Sequence, residues 1–235
     1  MRGGSGSRAQ HVTRAGRPTA EAALRDTAAM LRFAVTDTVH LRHLESSDGE
    51  ELHALVVANR AHLLPWMPWA AEQDPERTRA FIALSHKQLA DDNGFQLAMV
   101  EHGRIIGAVG FGDVDWENRS SEIGYWIDQR HEGRGLVTRA VRAMIDHAFG
   151  VWQLHRIEIQ AAPGNTRSQA VPVRLGFTRE GMLRECERSG DAWLDGVVYG
   201  CSSRSGRLTG RERIGACGSS RTSRCGGRRA RSSPT

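Results

Sequence analysis

The sequence predicts an α/β (α+β) fold: a mixed, mostly antiparallel sheet of seven strands flanked by helices. Three observations predict it. Apolar residues alternate with polar ones in short segments such as His155–Ala161, the period of a half-buried strand. They recur every three or four residues in longer segments such as Leu136–Ala148, the period of an amphipathic helix. Clusters of Gly, Asp, Asn and Pro separate the two patterns, so the chain is divided into many short elements. With 39% hydrophobic residues in a chain of 235, a core of ordinary size can form.

Residues 1–29 are rich in Gly, Ser, Arg and Ala. Ala20 to Ala29 could form a short helix, but nothing periodic ties this stretch to a core, and it reads as a disordered extension with Met30 as the start of the domain. Leu31–Val35 and Val39–Leu44 read as extended and supply the first strand. Ser46 or Ser47 can cap a helix whose Asp48, Glu50 and Glu51 suit its positive end, with Leu52, Leu55, Val56 and Leu63 as its apolar stripe. Leu63–Trp69 is broken by Pro65 and Pro68 and must loop. Two readings of this loop stand: a hydrophobic plug under the sheet, or a substrate wall lined by Trp66 and Trp69.

Asp74 caps a helix that has Pro75 in its first position and runs to about Ala90. Phe95–Val100 and Arg104–Phe111 form a hairpin across Glu101-His102-Gly103. Asp113–Asn118 links to the strand Glu122–Ile127, and the helix from Leu136 closes near Gly150. His155–Ala161 is the fifth strand, stopped by Pro163-Gly164. A helix over Ser168–Leu175 and strands over Met182–Glu187 and Ala192–Tyr199, joined at Ser189-Gly190-Asp191, complete a domain of residues 30–200. Residues 201–235 turn to Ser, Gly and Arg, which cannot build a core and read as a second disordered tail.

The net charge of +5 is misleading, because the tails carry +8 and +3 and leave the domain at −6. An acidic domain argues against nucleic-acid binding except through the C-terminal tail, and fits a cleft that receives a cationic amine. Cys186, Cys201, Cys217 and Cys225 show neither Cys-x-x-Cys pairing nor an adjacent His, so neither a metal site nor a disulfide framework is expected. No apolar run reaches the roughly 18 residues of a membrane span, and no signal-peptide core is present; a cytoplasmic protein is expected.

The strongest chemical signal lies where the strand Glu122-Ile123-Gly124-Tyr125-Trp126-Ile127 passes through Arg130-His131-Glu132-Gly133-Arg134-Gly135 into the long helix. Gly133 and Gly135 let the backbone turn and present successive N–H groups to an anion ahead of a helix N-terminus, while Arg130 and Arg134 add full charges. An ordinary tight turn would use the same glycines. The nucleotide-hydrolase loop is excluded because it needs Gly-Lys and the only lysine is Lys87; the dinucleotide loop wants three glycines after a first strand.

Arg-x-x-Gly-x-Gly after such a strand resembles the acetyl-CoA pyrophosphate loop of the GNAT superfamily of N-acetyltransferases. Asn165-Thr166-Arg167-Ser168, Arg174-Leu175-Gly176-Phe177 and Glu180-Gly181 resemble the segment after that superfamily's fifth strand. Leu64-Pro65-Trp66-Met67-Pro68-Trp69 and Asp195-Gly196-Val197-Val198-Tyr199 are most similar to the branch that acetylates N-terminal Ser or Ala of ribosomal proteins (Rim-type). The resemblance covers about residues 30 to 200 and implies a sheet splayed between its fourth and fifth strands.

It also implies roles. Backbone groups near Tyr125, Trp126 and Ile127 would hold the pantetheine and polarise the thioester carbonyl; Arg130, Gly133, Arg134 and Gly135 would bind the pyrophosphate; Asn165 would bind the cofactor from the opposite side. The tyrosine that protonates the leaving thiolate in many members is replaced by Pro172, which makes Ser168 the candidate donor; a plain helix N-cap is the alternative for Ser168. Glu187 and Glu122 compete for the base, Glu187 being preferred, and either could instead pair with Arg184 or Arg119. His131 and His155 are weaker candidates for the base, and packing is expected of His131.

The implied reaction is acetyl transfer from acetyl-CoA, without a metal, to a primary amine, first of all the α-amino group of a protein such as a ribosomal protein. A small-molecule, antibiotic or peptide amine is the alternative acceptor, and a non-catalytic acyl-CoA- or RNA-binding protein is the alternative of another class.

Overall fold

A computed structural model describes residues 31–203. The two tails, the helix considered at Ala20–Ala29, Cys217 and Cys225 lie outside the described residues. The strands are β1 (Arg32–Ala34), β2 (Val39–His43), β3 (Gln96–Glu101), β4 (Arg104–Phe111), β5 (Ser120–Ile127), β6 (Arg156–Ala161), β7 (Thr178–Ser189) and β8 (Ala192–Ser202). They lie in the order β1-β2-β3-β4-β5-β6-β8-β7, with β5 and β6 parallel and every other pair antiparallel. The helices are α1 (Gly49–Leu63), α2 (Pro75–Ala90), α3 (Leu136–Gly150) and α4 (Thr166–Arg174).

The sheet is therefore mixed and mostly antiparallel, as expected, with eight strands in place of seven. The additional strand comes from a tight reversal: the Val35 and Thr36 N–H groups both donate to the Val39 carbonyl, so the two extended stretches pair with each other, Phe33 against Leu41. The expected hairpin at His102-Gly103 forms with φ of 48° and 77°, the left-handed pair of a type I′ turn. Asp74 caps α2 by accepting from Arg77 N–H at 2.7 Å, with Pro75 in the first position.

The start of α1 departs from the reading of Ser46 or Ser47 as its cap. Ser46–Asp48 make a 3-10 turn instead, and Asp48 accepts from Glu45 N–H at 2.7 Å while Arg42 grips the same carboxylate at 2.6 and 2.8 Å. A buried carboxylate held by a guanidinium competes better for this turn than a serine hydroxyl does. At the far end of the domain, β8 continues to Ser202 and Cys201 is buried, so the boundary expected at residue 200 falls inside a strand.

The amphipathic face of α3 (Leu136, Ala140, Val141, Met144, Ile145, Ala148) is buried against Phe95, Met99, Phe111, Ile123, Ile157 and Ile159 of the sheet. Each fully buried Met or Ile side chain contributes roughly 1.5–3 kcal/mol. This packing fixes the N-terminus of α3 at the end of β5.

Parallel pairing between β5 and β6 lasts only from Ser120↔Arg156 to Glu122↔Glu158. Beyond Glu122, β5 stays with β4 through Ile127, whereas β6 follows β8. The sheet thus opens between β5 and β6, the expected splay, and among the described residues the β6-facing edge of β5 from Ile123 to Ile127 has no strand partner. The opening is where the site forms.

Candidate active site

Two cavities meet in the opening of the sheet. A groove of about 1030 Å³ runs from the start of α3 past the N-terminal turn of α4, and a cleft of about 370 Å³ lies between β5, β6 and the β7–β8 hairpin. Trp66, Met67, Tyr125, Asn165 and Ser168 line both. A molecule threaded through the groove would meet one in the cleft at these five residues.

At the head of the groove, Gly133 and Gly135 have φ of 74° and 71°, left-handed conformations that an L side chain strains to adopt. Among the described residues, the backbone N–H groups from Gly133 to Thr138 have no protein acceptor; the first helical bond of α3 is from Arg139 N–H to the Gly135 carbonyl at 3.2 Å. A run of unfilled donors ahead of a helix dipole is an anion cradle. This is the arrangement a pyrophosphate fits.

The arginines differ from the sequence reading. Arg134 forms a bidentate pair with Glu101 at 2.9 and 2.6 Å, and Arg130 grips Asp128 at 3.0 and 2.6 Å, so both guanidinium charges are already compensated. The Arg134 hydrogen bonds hold the Glu101 carboxyl down at about 2. His131, expected to pack, instead lies between the two carboxylates, 3.3 Å from Glu101 and 3.5 Å from Asp128. The loop is clamped by ion pairs, and the donors it leaves open towards the groove are those of its main chain.

Other cations line the groove that the motif did not single out: Arg139 on α3, and Arg167 and Arg174 on α4. Glu132 bridges its walls, accepting from His62 Nε2 of α1 at 2.8 Å and pairing with Arg167. Arg139 lies off the apolar face of its helix, on the side that overlooks the groove.

At the junction, Asn165 is the N-cap of α4, accepting from Ser168 N–H at 3.0 Å. The cap reading of Ser168 is thereby corrected: the serine sits in the first turn, with its hydroxyl free to donate to the Tyr125 hydroxyl at 3.2 Å. Tyr125 in turn donates to the Ser168 carbonyl at 3.0 Å. The phenol's proximity was missed in the sequence, where Tyr125 counted only for its backbone.

The cleft gathers the two glutamates. Glu122 from β5 and Glu187 from β7 both line it, and among the described residues neither is ion-paired with Arg119 or Arg184. Glu122 is open to water through the cleft yet walled by protein; this burial, with the charges of Glu158 and Glu187, raises its pKa. Burial also raises the pKa of Glu187. Glu187 reaches the cleft because the β7–β8 register slips between Leu183 and Glu187, where Glu185 has a φ of 51° and donates its N–H to Asp195 at 2.9 Å. Cys186 and Asp195, which the sequence did not suggest, join the lining.

Trp66 and Trp69 form the opposite wall, Trp69 tilted against Trp126 with ring centroids 6.3 Å apart. A Cβ on Gly164 would come within 3.1 Å of the Trp66 ring, so the glycine after β6 is what lets the indole close this end. His155 lies at the start of β6, outside both cavities. Among the described residues no group of His, Cys, Asp or Glu could hold a metal ion, and no helix is long and apolar enough to cross a membrane.

Residues 38–178 match the model of the acetyltransferase (GNAT) domain. The chain is 36% identical over 158 residues to YdaF of Bacillus subtilis (strain 168), provisionally named a ribosomal N-acetyltransferase, covering 66% of this chain and 86% of that one. It is 27% identical over 171 residues to the ribosomal-protein-serine acetyltransferase of Escherichia coli (strain K12), covering 70% and 93%. Among solved structures, the microcin C7 self-immunity acetyltransferase MccE, in complex with acetyl-CoA and AMP, superposes with a TM-score of 0.67 at 28% identity, over 72% of this chain and 94% of that one. A splayed sheet with an anion cradle at the head of its groove, a matching domain model over more than half the chain and relatives aligned over most of their length place this chain in the GNAT acetyltransferase family.

Proposed function

We propose that this acetyltransferase uses acetyl-CoA to acetylate the α-amino group of a protein N-terminus, a ribosomal protein being the first acceptor to test. The observation that carries this reading is the meeting of an anion-binding groove with an acidic, tryptophan-walled cleft at Ser168. The cradle from Gly133 to Thr138 takes the pyrophosphate, with Arg139, Arg167 and Arg174 as nearby cations. The free edge of β5 at Tyr125–Ile127 takes the pantetheine and polarises the thioester, and Asn165 closes on it from α4.

In the cleft, Trp66 and Trp69 hold the end of the acceptor chain, and the acidic lining attracts its ammonium group. Glu187 takes a proton from the amine as it attacks, and Ser168 protonates the departing thiolate. Glu122 keeps the cleft negative. The names of the B. subtilis and E. coli relatives favour a ribosomal acceptor and, with it, a cytoplasmic location. The domain of residues 30–200, completed by the last turns of β8 to Ser202, carries this activity without its tails.

A small amine is the second reading, favoured by the likeness to MccE, whose structure holds AMP beside acetyl-CoA. Incubation with acetyl-CoA and either ribosomal proteins or a panel of small amines, followed by intact-mass spectrometry and CoA release, separates the two. A mass gain of one acetyl group at a protein N-terminus is expected. Acetylation of small amines alone would replace the first reading with the second.

A further inference from the structure

Ser168 is a weak acid standing alone, and one turn further along α4 stands Pro172, whose side chain has no proton to give. The fold brings a phenol to the same place from another element. Tyr125 projects from β5 and faces both oxygens of Ser168, its hydroxyl 3.0 Å from the carbonyl and 3.2 Å from Oγ. The chain has two tyrosines, and the other, Tyr199 of β8, donates to Gln169 Oε1 at 2.9 Å on the neighbouring residue of α4. Only Tyr125 lines the two cavities; Tyr199 lines neither.

We infer that Tyr125 is the proton reservoir behind Ser168, a positioning residue through which the serine is reprotonated as it protonates the leaving thiolate. The inference rests on the acetyl transfer proposed above. In the resting site the Ser168 hydroxyl donates to Tyr125 Oη and the phenol donates to the Ser168 carbonyl. As the carbon–sulfur bond of the thioester breaks, the serine hydroxyl turns to the sulfur and gives it its proton. The phenol swings its own proton from the Ser168 carbonyl to Oγ, leaving serine neutral and the charge on the phenolate. Water reprotonates the phenolate, and the proton the amine gave to Glu187 returns to solvent, so the cycle is balanced.

Two features suit the phenol to this task. Burial pushes it up to about 12, so it is fully protonated at working pH. A phenol also yields its proton more readily than an aliphatic hydroxyl, so the transient charge is better carried by Tyr125 than by Ser168. The titratable groups that share its cavities are Glu122, Cys186, Glu187 and Asp195 in the cleft and His62, His131, Glu132, Arg134, Arg139, Arg167 and Arg174 in the groove, and Tyr199 acts on it from β8.

The test is steady-state kinetics of the full chain with acetyl-CoA and an acceptor shown to work. Tyr125→Phe should lower kcat by about 100-fold, a general-acid-sized loss, with KM for acetyl-CoA within about twofold. Ser168→Ala should cost as much, and the double variant little more, since the two act as one relay. Incorporating 3,5-difluorotyrosine into a Tyr199→Phe chain lowers the pKa of the one remaining phenol, and kcat should then decline at alkaline pH where the same chain with ordinary tyrosine does not. That comparison holds Cys186 constant, and because ring and hydroxyl are kept it decides the matter even if Tyr125→Phe folds poorly. A Tyr125→Phe kcat within twofold of wild type, or a difluorotyrosine enzyme without an alkaline decline, would overturn the inference while leaving the acetyl transfer standing. A wild-type chain that releases CoA no faster with acceptor than without it, and leaves no acetylated product, overturns both.

Discussion

The loop at Gly133–Gly135 presents its main chain, whereas the cleft presents side chains that arrive from the Trp66 loop, β5, β7 and β8. In the loop the conspicuous charges are spent on neighbours: Arg134 on Glu101 and Arg130 on Asp128. What stays available is a row of N–H groups set by two left-handed glycines. In the cleft the backbone mainly delivers, and among the described residues Glu122 and Glu187 remain without ion pairs. A site that must hold a fixed anion can be built into the chain's path. A site that must move a proton needs groups whose charge is left unsettled.

The largest effect that sharpens this contrast should come from Glu187. Replacing Glu187 with Gln keeps the shape and removes the proposed base, and should reduce kcat by ~100-fold to 10,000-fold with acetyl-CoA affinity unchanged. Burial raises the pKa of Glu187, so the wild-type rate should fall as pH drops through a value above the ordinary carboxylate range. In the Gln variant that limb should vanish, leaving a rate that climbs with deprotonation of the amine. A loss below tenfold, or superimposable pH profiles, would shift the base to Glu122 or to water.

Next in size is Gly135→Asp in the loop. The position has a φ of 71° and open space around a would-be Cβ, so the substitution costs about 1 kcal/mol in backbone strain and places a negative charge in the cradle. Acetyl-CoA affinity, measured by calorimetry, should fall on the order of 100-fold, about 3 kcal/mol, while the melting temperature changes by only a few degrees. Unchanged affinity would remove the loop from the cofactor site.

The same contrast explains what the sequence made legible. The loop is contiguous, and its conformation follows from residue types that alter the main chain, so the turns at Gly133 and Gly135 could be read directly. The elements around it were legible for a related reason: the helical period from Leu136 to Ala148 and the turn glycine of Glu101-His102-Gly103 are local. The cleft was legible only in part. Glu122, Glu187, Trp66 and Trp69 were named one by one, the glutamates by resemblance, but no periodicity could place Glu187 opposite Glu122, because that depends on a register slip in β7. The slip also brought in Cys186 and Asp195 unannounced. Similarly, the Tyr125–Ser168 hydroxyl pair joins residues 43 apart, and the neutralisation of Arg134 depends on Glu101, 33 residues away.

Arg134→Ala should have a smaller effect than a motif-based reading would give it. Its guanidinium is already engaged by Glu101, and the N–H groups that hold the anion survive the truncation. Acetyl-CoA affinity should fall less than tenfold, roughly 1 kcal/mol, and much of that should come from Glu101, which loses the partner that keeps its pKa at about 2. Glu101→Gln in the Arg134→Ala background should then recover part of the loss. A loss comparable to that of Gly135→Asp would mean that Arg134 leaves Glu101 to bind the anion directly, and the main-chain account of the loop would fail.

The smallest effect should come from Glu122→Gln, which separates the two glutamates by stability instead of rate. The folded-state pKa of Glu122 is raised by burial and by the charges of Glu158 and Glu187, so folding binds its proton more tightly than the unfolded chain does. Its favourable contribution is therefore complete below the unfolded-state pKa and is lost as pH rises through the raised value, leaving an ionised carboxylate that strains the cleft at neutral pH. Glutamine carries no such charge. At pH 7 the variant should melt higher than wild type by about 2–4 °C, equivalent to about 1 kcal/mol or less once the water that reaches the cleft is allowed for. The gain should shrink towards zero as pH is lowered below the ordinary carboxylate range, where wild-type Glu122 is protonated. Turnover should stay within about threefold, because a group that only sets the potential of the cleft contributes less than one that accepts the proton. A stabilised variant with turnover reduced as far as in Glu187→Gln would show that Glu122 is the base and that its instability is the cost of that role.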